Sequence, residues 1–189
     1  MRAFDYFQRA SQQWYRPAMF QVARCYIMGD GVKVDQEKGF ALCKKAASHR
    51  VPEANTLLAL CYRLGWGTAV DMEKAIKFLL VAAELGDQTA RYEAWYWLPV
   101  SVYSDAIDDA KALEYLTLSS ESGYAPAQCQ LAHLFDTGYR VGMKDEWKAL
   151  SLFRASAEQG YLPALVELGD YLFIRGSTCW VLLVHHLRR

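Results

Sequence analysis

The chain repeats itself, and that constrains its fold more than any single residue does. Ala stands at positions 18, 54, 90, 127 and 164, at steps of 36, 36, 37 and 37 residues. Four places after each anchor come Val22, Leu58, Ala94, Leu131 and Leu168. Five places after come Ala23, Ala59, Trp95, Ala132 and Gly169. Eight places after come Tyr26, Tyr62, Leu98, Phe135 and Leu172. Offsets of zero, four, five and eight share one face of a helix. A small residue at offset five lets a neighbouring helix approach closely. Such a period belongs to architectures in which each unit buries its apolar face only against its neighbours.

A second helix follows in each unit. The first ends at Gly29 and Gly31, at Gly65 and Gly67, and more loosely at Gly138 and Gly142. Glycine tolerates the left-handed backbone that stops a helix. Then comes Asp-x-x-Lys, at Asp35–Lys38, Asp71–Lys74, Asp108–Lys111 and Asp145–Lys148. An Asp here predicts a helix cap, because its carboxylate can accept from the free amides of the first turn. The Lys gains nothing from the helix dipole, which leaves only its stem to pack on the neighbouring helix. The second helix buries Ala75, Phe78, Leu79 and Ala82 in one unit, and Ala149, Leu152, Phe153 and Ser156 in another. Gly86, Gly123 and Gly160 close it. Pro17, Pro126 and Pro163 stand just before an anchor Ala, and Pro52 two before, where the missing N–H is no loss. The spacing predicts an all-α chain of helical hairpins, each helix roughly 20 Å long.

On this register a half repeat covers 1–17, and repeats follow at 18–53, 54–89, 90–126 and 127–163, with a partial repeat at 164–176. The half repeat has no preceding first helix and no capping Asp. The tail, Ser177–Arg189, leaves the pattern. A divergent capping segment, a sequence foreign to the array and a functional tail all remain open for it.

The stretch Ala54–Gly86 carries Ala-x3-Leu-Ala-x2-Tyr-x2-Gly-x-Gly-x3-Asp-x2-Lys-Ala-x2-Phe and then Ala-Ala-Glu-x-Gly. It resembles the Sel-1-like repeat, a relative of the tetratricopeptide repeat, and the resemblance runs from about Arg2 to Gly176. It implies an α/α right-handed superhelix, a solenoid with a concave surface. It also implies a role as an adaptor or scaffold, since members of the family serve in endoplasmic-reticulum-associated degradation, chitin synthase activation, and bacterial signalling and host contact. The family has no shared catalytic motif to carry over. A secreted, cysteine-rich branch, described as β-lactamase-like, staples each hairpin with a Cys pair, and that pattern is absent here.

The third repeat is irregular. Ala90-Arg-Tyr-Glu-Ala-Trp-Tyr-Trp-Leu-Pro99 places Trp95 where other repeats have Ala or Gly, and Pro99 ends the helix early. A shift of one residue would instead make Ala94 the small position and Trp97 the aromatic one. Three consecutive aromatics, Trp95, Tyr96 and Trp97, cover most of a helix circumference, so at least one is exposed or meets the next hairpin. They either fill space around the broken helix or anchor a partner, since Trp and Tyr dominate interaction hot spots. Offsets two and six would face the groove. They supply Arg24, Leu60, Tyr92, Tyr96 and His133 among others, a row mixed in polarity and without a single sign of charge.

Little supports catalysis. No HExxH, Ser-x-x-Lys, Gly-x-Gly-x-x-Gly or Gly-x-x-x-x-Gly-Lys occurs. His185 and His186 are adjacent and diverge by about 100° on a helix. Asp35, Asp71, Asp108 and Asp145 lie in different repeats, about 10 Å from one to the next, and so make caps rather than a catalytic cluster. The five Cys show no CxxC, and an apolar packing role suits them. No metal or cofactor is expected. Net charge is zero with Lys and Arg scattered, which gives no footprint for nucleic acid or an anionic membrane. The N-terminus lacks an apolar signal core, and Cys179–Val184 is too short to span a bilayer. The expectation is a cytoplasmic, non-enzymatic scaffold that binds a protein or peptide, alone or within a larger complex. The chain opens partway through a repeat, which leaves room for a leader on a longer parent. Two alternatives stand beside this reading. One is a hydrolase like that claimed for the cysteine-rich branch. The other is a regulatory fragment of a larger protein.

Overall fold

The computed structural model describes residues 3–97 and 109–173. Nine helices there are α1 (Ala3–Gln12), α2 (Arg16–Met28), α3 (Gln36–Ser48), α4 (Pro52–Leu64), α5 (Met72–Glu84), α6 (Gln88–Trp97), α7 (Asp109–Glu121), α8 (Ala125–Thr137) and α9 (Glu146–Glu158). A further helix, α10, covers 162–173. No strand occurs among the described residues. The chain divides into two compact units, Met1–Tyr115 and Leu116–Arg189. In the first, α2 packs on α3 and α4 on α5, while α1, α3 and α5 pack on the helices that follow them; in the second, α8 packs on α9.

Each anchor Ala is buried, as its spacing predicts. Ala54, Ala90, Ala127 and Ala164 are fully inside and Ala18 nearly so. Pro opens α2, α4 and α8. Repeat three has no such Pro, and Asp87 takes over by accepting from the Ala90 amide at 2.7 Å. Burial raises the Asp87 carboxyl above its ordinary range, against the hydrogen bond from Ala90.

The Asp-x-x-Lys unit closes each hairpin through several contacts. Asp35 accepts from the Lys38 amide at 3.0 Å, Asp71 from Lys74 at 2.9 Å and Asp145 from Lys148 at 3.0 Å. Asp108 lies outside the described residues. The backbone N–H of the same Asp donates to the carbonyl of the offset-eight aromatic: Asp35 to Tyr26, Asp71 to Tyr62 and Asp145 to Phe135, at 2.8–2.9 Å. The Lys then lies over that aromatic's ring. Lys38 Nζ sits 4.3 Å from the Tyr26 centroid and donates to its hydroxyl at 2.8 Å. Lys74 sits 5.6 Å from the Tyr62 centroid, and Lys148 4.4 Å from that of Phe135. This cation–π contact supplies the role that stem packing alone left vague. Repeat three has Leu98 at offset eight. There Lys111 instead pairs with Glu84 at 3.4 Å and lies over Tyr115 on its own helix.

One prediction follows for the cap. Hydrogen bonds from the Lys74 side chain and amide hold the Asp71 carboxyl below its ordinary range. A depressed folded-state value means that the stabilisation is complete above the unfolded carboxyl's range and fades as pH falls through the folded value. Asp71→Ala should therefore melt below the parent at pH 7, and the gap should narrow at pH 3. Melts recorded at both pH values check this; a gap that widens in acid contradicts the capping role.

The turns that end α1, α3, α5, α7 and α9 share a left-handed residue four places before the anchor. It is Gly86, Gly123 and Gly160 in three of them, at φ between +80° and +94°. In the other two it is Trp14 at φ +61° and Arg50 at φ +59°. A side chain there costs about 1–2 kcal/mol.

Candidate functional site

A cleft of about 50 Å³ opens in the first unit, where α4 and α6 stand beside each other over α5. Its floor is apolar, from Met72, Ala75, Ile76 and Leu79 on α5 with Ala59 and Leu60 on α4. Thr56 and Thr89 add hydroxyls at the sides.

Arg63, Glu93 and Trp97 build one wall. Arg63 Nη1 lies 3.4 Å from Glu93 Oε2, and the Trp97 indole N–H donates to that same oxygen at 2.8 Å. The Arg63 guanidinium sits over the Trp97 ring, 4.8 Å from its centroid. The three side chains thus fix one another across two repeats. Both charges remain partly solvated, so the ion pair itself contributes only about 0–1 kcal/mol. Its stronger effect is to hold the indole in place. Arg63 Nε is buried with no acceptor among the described residues.

The cleft suits a side chain better than a substrate. Small-molecule sites usually enclose roughly 300–1,000 Å³, far more than this one. Among the described residues, no group of three or more His, Cys, Asp or Glu could hold a metal ion.

The family model for the Sel1 repeat matches residues 1–13, 16–50, 52–87, 104–124 and 125–161. The chain belongs to the Sel1 repeat family. The Sel1 matches pass over 88–103, the irregular stretch that holds α6 and the Trp95–Trp97 run.

Solved structures agree. Over 90% of this chain it is 29% identical to c5321, a protective antigen of uropathogenic Escherichia coli strains displaying an SLR fold, with a TM-score of 0.72. A Sel1 repeat protein from Oxalobacter formigenes is 27% identical over 89% of this chain, with a TM-score of 0.75. The immunity protein Pa5087 of Pseudomonas aeruginosa is 26% identical over 85%, with a TM-score of 0.60. The chain spans 36%, 68% and 59% of those three proteins in turn. No curated protein matches by sequence. The fold is thus an all-α Sel1 solenoid, a type generally used as a protein-interaction scaffold rather than an enzyme.

Within this Sel1 array the expected contact residues separate. Leu60 and Trp97 line the cleft, both half-buried. Tyr92 and Tyr96 pair beside it on α6, with hydroxyls 3.2 Å apart and rings edge to face at 5.2 Å. Arg24 is exposed on α2. His133 belongs to the second unit, where its ring meets Phe153 at 5.1 Å and its Nε2 lies 3.7 Å from Glu167.

Trp95 requires a correction. It is 6% exposed, so no partner reaches it as a surface anchor. Ala90, Ala94 and Trp95 all turn inward, and Tyr96 is the aromatic that turns out, 47% exposed. Ala94 and Trp95 are both buried, and Leu98, on which the register choice also turns, lies outside the described residues.

The cysteines sit inside. Cys25, Cys43, Cys61 and Cys129 are free and buried. Burial pushes the Cys129 thiol up to about 11. Cys43 is held high by its hydrogen bond with Cys61 and by burial. Neither is a poised nucleophile. Cys179 lies outside the described residues, as does the tail. No helix of the described residues is long and apolar enough to cross a membrane.

Sequence reasoning missed Arg63 and Glu93. The only signal was their separation of 30 residues, which places them on the first helices of adjacent repeats.

Proposed function

We propose that this chain is a non-enzymatic interaction module that seats an apolar side chain of a partner protein in the α4–α6 cleft. The observation that carries this is the shape of the cleft: an apolar floor, one rigid indole wall, and room for a side chain but not a metabolite. Leu60, Tyr92, Tyr96 and Trp97 are the proposed contacts. Aromatic residues held in place beforehand bind at low entropic cost. The likeness to the immunity protein Pa5087 supports a protein as the ligand. We also place the chain in the cytoplasm, with its unpaired cysteines as support.

Proximity labelling in the native host tests this, with the parent and Leu60→Glu compared. Leu60 is half-buried at the cleft, so a carboxylate there spoils the apolar floor without opening the core. The expected result is a labelled protein present with the parent, depleted at least tenfold with Leu60→Glu, and unchanged circular dichroism. An identical labelled set for both proteins removes the cleft from the reading. Turnover of nitrocefin by the purified chain, abolished by a cleft substitution, would overturn the non-enzymatic assignment.

A further inference from the structure

A second concavity, of about 320 Å³, lies on a different side of the first unit. The cleft above lies between α4 and α6, the first helices of two hairpins. This basin lies between α1 and α3, the second helices of two hairpins, with α2 beneath. None of its ten lining residues is acidic, and two are lysines, Lys38 and Lys45. Among the described residues neither ammonium has a carboxylate within 4.0 Å. Each is held over an aromatic ring instead: Lys38 over Tyr26 at 4.3 Å and Lys45 over Trp14 at 4.7 Å. Leu42 lies between them in the same lining.

Trp14 is the independent observation. It is 68% exposed, yet it occupies a left-handed position. Its N–H donates to the Ser11 carbonyl at 3.0 Å, and that of Tyr15 to Ala10 at 3.2 Å. Gly86 and Asp87, Gly123 and Tyr124, and Gly160 and Tyr161 form the same pair of bonds. These are Schellman turns, whose left-handed residue is usually Gly. Three sister turns use Gly at this place and the fourth uses Arg50; what sets Trp14 apart is a mostly exposed indole held against Lys45 at the basin's edge. Strained residues of this kind gather at functional sites.

We propose that this basin binds an acidic peptide segment of a partner protein, with two carboxylates about three residues apart and an apolar residue between them. Lys38 and Lys45 are seven residues apart on α3, a rise of roughly 10 Å. An extended, polyproline-like chain advances about 3.1 Å per residue, so carboxylates at i and i+3 match it and face the same way. The residues between them point about 120° to either side on such a chain, so the apolar one turns towards the exposed Trp14 ring while the backbone lies over Leu42. This is a site separate from the α4–α6 cleft and does not depend on it.

The test is a phage-displayed library of Glu-x-x-Glu nonapeptides panned on the purified full chain, with a Gln-x-x-Gln library as control. The fluorescein-labelled winner is then titrated by anisotropy. Enrichment of the acidic library only is expected, with affinity that falls as salt rises from 50 to 300 mM. Lys45→Glu should weaken binding at least tenfold, and so should Trp14→Gly. Trp14→Gly should melt no lower than the parent, because Gly is the residue the sister turns use. Leu60→Glu should bind the peptide normally, which separates this site from the cleft. Equal enrichment of both libraries overturns the proposal, as does a winner that binds Lys45→Glu and Trp14→Gly as tightly as the parent. Should Trp14→Gly unfold, Lys45→Glu decides alone.

Discussion

Gly67→Ala should destabilise the first unit by roughly 2–5 kcal/mol, the sum of a left-handed penalty and overpacking. Gly67 lies at φ +68° in the loop after α4. A Cβ there would press into the Gln36 carbonyl and stand 2.9 Å from the Glu37 amide nitrogen. Those atoms are backbone of the first turn of α3, so no side chain can swing away to relieve the clash. The loop of one hairpin rests directly on the helix start of the hairpin before it, and glycine is what lets it do so. A melting temperature lower by about 5–15 °C is expected. Gly123→Ala is the control. It shares the left-handed backbone, at φ +84°, but a Cβ there meets nothing within 4 Å. It should lose only the conformational part, about 1–2 kcal/mol. Equal losses for the two variants would mean that the loop does not rest on α3.

The features that recur were legible in the sequence, because local rules place them. The anchor Ala positions, the left-handed glycines and the Asp that starts each second helix depend on helix period and on unpaired amides alone. The use of Lys38, Lys74 and Lys148 was not legible in that way. Each reaches an aromatic twelve or thirteen residues earlier, across a loop, and only the folded hairpin shows that the ring lies beneath it. Trp95 shows the limit of counting exposed faces. Three aromatics in a row guarantee that one turns out, but which one depends on how wide a face the neighbouring helices bury. The reverse holds for Trp14. Its signal was present, since every other second helix but one ends in Gly four places before the anchor. A register built on anchors draws the eye to what repeats, and Trp14 is informative because it does not. The α4–α6 cleft was half legible: Leu60 sat in the expected groove row, but the Arg63–Glu93–Trp97 wall joins positions that no single repeat contains.

Phe153→Ala should cost the second unit about 3–5 kcal/mol, towards the upper end. Phe153 is 2% exposed and among the largest fully enclosed side chains. Its buried neighbours are Cys129, Ala132, Ala149, Ala157 and Ala164. Small side chains cannot swing into the space a lost ring leaves, and three of these are the Ala residues that let α8, α9 and α10 approach closely. The cavity would therefore persist, and a persistent cavity is what moves such a loss from the lower to the upper figure. The ring also meets His133 edge to face at 5.1 Å and Tyr171 at 6.4 Å. Phe153→Leu separates the two contributions: it keeps most of the volume and gives up only the ring contacts, about 0.5–1.5 kcal/mol. Urea denaturation followed by circular dichroism measures both variants. An Ala variant that loses no more than the Leu variant would show that α10 closes over the void. In a stacked array, stability is held between nearest neighbours. Phe153→Ala should therefore bring an early transition in the second unit, while Gly67→Ala brings one in the first. A single transition shared by both units in each variant would instead mean that the array unfolds as one body.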